Sequence, residues 1–147
     1  MIFDGDKDKL ADYVWSLATA MKLSDWRIKL ADDPPPVPPS GDAVGGYCNV
    51  IYGRKYAVIH LADDWATWDD WELRETVVHE LVHCHVVQMQ WAFDNITHSV
   101  SQNVYDTLHS GWTDALELSV DAIATAWSRT LPLPVTAKKT RKGAKTA

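Results

Sequence analysis

The chain predicts a small α+β fold, on three observations. Two long segments carry helical apolar periodicity, and one of them, Trp68 to Gln90, runs without Gly or Pro. Ahead of them, Tyr47 to Tyr52 and Lys55 to Leu61 are rich in Val, Ile and Tyr and flank Gly53-Arg54, the composition of a β-hairpin. The length of 147 residues, 46% hydrophobic with eight Trp, suits one core and falls short of two. Residues 1–135 are therefore expected as one domain and 136–147 as a disordered basic tail.

Taken in order, Lys7 to Leu23 places Leu10, Val14, Leu17, Ala18 and Met21 on one face of an N-terminal helix. Trp26 to Leu30 alternates as a first strand. Asp32 to Gly41 is crowded with Pro, so it leaves the strand as an extended connector; a proline-reading partner is the alternative use. The hairpin then completes a three-stranded sheet. Thr67 and the acidic turn of Asp69, Asp70 and Glu72 open the central helix. Its apolar residues, from Leu73 through Val82 to Met89, spread around the circumference and imply packing on several sides. Phe93 to Gly111 is polar and is expected as a wall or lid. A C-terminal helix starts near Thr113 and turns Val120, Ile123, Ala124 and Trp127 inwards.

The most informative residues lie in the central helix: His79-Glu80-Leu81-Val82-His83 spells H-E-x-x-H. Residues four apart stand about one turn apart on a shared face, so the two imidazoles can converge on one metal ion with Glu80 beside them. Such a site suits metal-assisted hydrolysis, with zinc lowering the pKa of a water and the carboxylate taking its proton. A hydrolytic zinc site needs a third protein ligand. Glu117 is the leading candidate, with Asp121 as its register alternative and His98 and His109 as competitors. Asp121 is four residues from Glu117 and so shares its face, where it can accept a hydrogen bond from the far nitrogen of a ligating His. Cys84 and His85 point about 140° and 240° around the helix from His79 and are excluded as ligands.

His79, Glu80, His83, Glu117 and Asp121 together resemble the gluzincin metallopeptidases, in which H-E-x-x-H on one helix is completed by Glu of an E-x-x-x-D pattern on a later one. The layout over about residues 10–132 looks like minimal gluzincins of the ImmA/IrrE type, or small phage-encoded metalloproteases. The resemblance implies a zincin-like minimal domain with Zn²⁺ on His79, His83 and Glu117, Glu80 as general base and Asp121 orienting His79. It also implies that the strand before the zinc helix holds a peptide substrate, through Ala57, Val58 and Ile59, and that a His or Tyr such as His109 or Tyr105 stabilises the oxyanion. The alternatives are a silent zinc-stabilised binding module acting on a regulator, and a nucleic-acid-associated SprT-like protease, which would take a His as third ligand.

Cys48 and Cys84 are too few for a disulfide scaffold and are expected to be reduced. No apolar run has the length of a membrane span, and the acidic start lacks signal-peptide character, so a cytoplasmic protein without membrane partners is expected. Removing the tail's five positive charges, Lys138, Lys139, Arg141, Lys142 and Lys145, from the net of −6 leaves about −11 on residues 1–135. The folded body should then repel nucleic acid, leaving only the tail to meet it.

Overall fold

The computed structural model describes residues 2–38, 41, 44–51 and 53–134, without the side chains at 97 and 98. These form an α+β arrangement of three helices and a three-stranded sheet. The basic tail lies outside the described residues.

Helix α1, Lys7–Ala20, is capped by Asp6, whose carboxylate accepts from the backbone N–H of Asp8 and Lys9. Its buried stripe is Leu10, Tyr13, Val14, Leu17 and Ala18. The helix stops three residues before the expected Leu23. There Lys22 adopts a left-handed φ of 65°, while Leu23 N–H bonds Ala18 C=O and Lys22 N–H bonds Thr19 C=O. This is a Schellman turn with Lys where Gly is usual, and it buries Leu23 against the core.

Strands β1 (Arg27–Leu30), β2 (Gly46–Ile51) and β3 (Tyr56–Leu61) are ordered β1-β3-β2. The hairpin pairs β2 antiparallel to β3, and β1 joins the other side of β3 in parallel. The expectation that Ala57, Val58 and Ile59 form an edge for a peptide is thereby overturned, because β3 is central and its backbone is paired on both sides. Ala57 and Ile59 are also fully buried. β3 is central because β1 pairs with its outer side; the edge beside the central helix is β2.

Helix α2, Asp70–Asp94, is capped by Asp69, which accepts from Trp71 and Glu72 N–H at 2.8 Å each. Thr67, expected at the cap, instead lies in a 3-10 turn with its hydroxyl on Asp64 C=O. Leu73, Val77, Val78, Leu81 and Val82 are wholly buried between sheet, α1 and the last helix. Helix α3, Gln102–Ser128, begins eleven residues before the expected Thr113, so most of the anticipated lid is its first three turns. Those turns read as loop on their many polar residues, although Val104, Tyr105, Leu108 and Trp112 recur at helical spacing; in the fold Val104 and Leu108 stay exposed. The packed stripe is Leu116, Val120, Ala124 and Ser128, while Ile123 and Trp127, expected inwards, are about 40% exposed. Arg74 closes the far end, with its guanidinium 4.3 Å from the Trp71 ring centre and Nη1 donating to Leu131 C=O at 2.8 Å.

Candidate metal centre

α2 and α3 run antiparallel, as the pairs Thr125 to Glu75 and Trp112 to Gln90 show, and between those rungs they bring the motif residues together. One helical turn separates His79 from His83, and their Nε2 atoms lie 3.3 Å apart. From α3, Glu117 Oε2 lies 3.5 Å from His79 Nε2 and 3.8 Å from His83 Nε2. A tetrahedral ion with bonds of about 2.0–2.1 Å separates its donors by roughly 3.4 Å, so this triangle has the size of three corners of such a site.

The fourth turn-related residue sets the chemistry of the first. His79 Nδ1 donates to Asp121 Oδ1 at 2.8 Å, which leaves the Nε2 lone pair facing His83 and Glu117. Two imidazoles and a carboxylate aimed at one point are favourable only with a cation or proton between them. Burial lowers His79, but once Nε2 is protonated its hydrogen bond to Glu117 and the charges of Glu80 and Asp121 outweigh burial and lift the group above the usual imidazole value. Burial wins at His83, which is held below that value. The hydrogen bond from His79 keeps Glu117 below the ordinary carboxylate range.

Glu80 is 3% exposed and faces β2. Burial pushes its carboxyl up to about 7, with His79 opposing and Glu117 reinforcing. The strand can approach because position 46 is glycine: a Cβ there would stand 2.5 Å from Glu80 Oε1 and 3.0 Å from its Cγ and Cδ. Glu80, His79 and His83 have ligand atoms within 4.8 Å of one another, so this His-Glu-His group can itself hold a metal ion. The triangle with Glu117 is tighter, and leaves the Glu80 carboxylate beside it.

The site opens into a cleft of about 790 Å³ between α2, α3 and β2. Its far wall is the outer strand, from Gly46 to Val50, together with Pro36, Val37 and Pro38 of the proline segment. The sequence marked these segments as a proline connector and a hairpin strand and assigned neither to the site, although Gly45-Gly46 at the start of a strand marks a close backbone approach. His109 lines the cleft, its ring 5.2 Å from that of Tyr105; Tyr105 itself does not line it. The side chain of His98 lies outside the described residues. His60 is removed from the site, on the opposite face of the sheet, with Nδ1 3.2 Å from Asp33 C=O.

Cys48 and Cys84 are free thiols. They meet across the β2–α2 interface, where the hydrogen bond between them and burial push Cys48 far above its ordinary value. Among the described residues, no helix is long and apolar enough to cross a membrane. No protein-family model matches the chain, and no curated protein and no solved structure matches it significantly.

Proposed function

We propose that this chain is a zinc-dependent metallopeptidase of gluzincin type that hydrolyses a peptide bond in a particular protein partner. The observation that carries the reading is the donor triangle of His79, His83 and Glu117, with Asp121 on the far nitrogen of His79 and Glu80 alongside. A structural zinc site closes with a fourth protein ligand; this one has a buried carboxylate and an open cleft there instead.

His79, His83 and Glu117 would hold the ion, which when bound acidifies water and polarises a carbonyl. Asp121 keeps His79 in the tautomer that presents Nε2 and supports its basicity. Glu80 takes the proton of the attacking water and returns it to the departing amine, the position beside the triangle being the one from which a carboxylate can do both. The free backbone edge of β2 pairs with an extended peptide and lays it along the cleft, the role first expected of β3. His109, on the cleft wall, would donate to the developing oxyanion.

The test is metal content of the wild type, Glu117→Ala and Glu80→Gln, followed by cleavage profiling on a proteome-derived peptide library. One zinc per chain is expected in the wild type and Glu80→Gln and none in Glu117→Ala. Cleavage should fall at least about 100-fold in Glu80→Gln. A wild type that takes up no metal when Zn²⁺ is supplied overturns the proposal.

A further inference from the structure

The open face of the sheet carries a second cleft, of about 730 Å³, that shares no residue with the metal cleft. Nine Lys and Arg occur in residues 1–134, and four of them, Arg27, Lys29, Arg54 and Lys55, line this one cleft. The single carboxylate among its lining residues, Asp25, is ion-paired with Lys55. Among the described residues no carboxylate forms an ion pair with Arg27, Lys29 or Arg54, and all three are exposed. In a body with a charge of about −11, this is a concentrated local excess of positive charge, which the net charge hides.

The register explains how the patch is built. Arg27 and Lys29 are two apart on an edge strand, so they project from the same face about 7 Å apart. That spacing is comparable to that of successive phosphates in an extended single strand. Arg27 pairs across with Tyr56, and Tyr56 with Ile51, giving a row of cation, aromatic ring and aliphatic group. Trp26 also lines the cleft, half-buried like Tyr56 and packed against the core. Cations alone suit any polyanion; fixed rings beside them add a stacking platform that carboxylates of an acidic peptide do not use.

We propose that this face of the sheet binds single-stranded nucleic acid, with phosphates on Arg27, Lys29 and Arg54 and a base against Tyr56. The proposal is independent of the peptidase reading. It places nucleic acid on the folded body, where the charge balance predicted repulsion.

The experiment is fluorescence anisotropy of a labelled twelve-nucleotide oligothymidylate with the full chain, titrated with salt. Four proteins are compared: wild type, Arg27→Glu/Arg54→Glu, Tyr56→Ala, and a tail variant Lys138→Glu/Lys139→Glu/Arg141→Glu. The sheet double variant should weaken binding at least tenfold and flatten the log–log salt dependence by about 1.4, or roughly 0.7 per phosphate contact. Tyr56→Ala should lose about tenfold with the salt slope unchanged. Equal circular dichroism and thermal midpoints among the four establish that folding is intact; should the double variant fail there, Lys29→Gln reads the same slope with one contact removed. Affinity that follows only the tail variant overturns the proposal. So does displacement of the oligonucleotide by poly-glutamate as readily as by unlabelled oligothymidylate, which would assign the face to acidic peptides.

Discussion

The pH dependence of the metal-free chain should report the burial of Glu80 directly. In the unfolded chain this carboxyl titrates near its ordinary 4.5, and in the folded chain burial pushes it up to about 7. Between those values the folded state keeps a proton that the unfolded state has lost, so stability falls as pH rises, by about 1.4 kcal/mol per unit. Below pH 4.5 both states are protonated and above pH 7 both are ionised, so the slope is confined to this window. The whole loss is about 3 kcal/mol. With a urea m-value of about 1–3 kcal/mol/M it shifts the unfolding midpoint by on the order of 1–3 M. The assay is urea unfolding of chelator-treated protein from pH 4.5 to 8, wild type against Glu80→Gln. Subtracting the variant removes the titrating groups that do not interact with Glu80 and leaves Glu80 together with its coupling to His79 and Glu117. The difference should grow in favour of Glu80→Gln up to pH 7 and then level; parallel curves for the two proteins would refute the argument that Glu80 is held in a poorly solvated site.

Other perturbations separate the parts of the centre. Asp121→Ala removes the acceptor at 2.8 Å from His79 Nδ1 and should weaken zinc affinity about 10–100-fold, read by competition with a chromophoric chelator. Gly46→Ala forces Glu80 out of its position while leaving His79, His83 and Glu117 in place, so on the proposed reading zinc stoichiometry should stay at the wild-type level and peptide cleavage should fall as it does in Glu80→Gln. Asp69→Ala leaves two N–H groups of α2 uncapped and should cost about 1 kcal/mol in urea unfolding, with no change in metal stoichiometry. Leu81→Ala, at a fully buried position on the opposite side of the motif turn, should cost about 2–5 kcal/mol by opening a cavity.

By itself the sequence determined the element types, the three-stranded content of the sheet and the residues of the metal centre worth testing. Each of these rests on short-range rules: helical spacing aligns His79 with His83 and Glu117 with Asp121, and strand composition marks Tyr47 to Leu61 whatever the rest of the chain does. Tertiary structure alone decided which strand is an edge. β3 became central because β1, remote in sequence, pairs with it, and no local pattern encodes that choice. The same holds for where α3 begins: Val104, Tyr105, Leu108 and Trp112 fall at helical spacing but Val104 and Leu108 stay exposed, and these turns are held by continuity with the packed half and by ring contacts of Tyr105 and His109 with Phe93 at the end of α2. It holds also for the convergence of Glu117 on His79 and His83, which depends on the relative rotation of two helices packed through Leu116, Val120 and Ala124, and for the basic cleft, which gathers cations from a strand and a turn that only pairing across the sheet brings together.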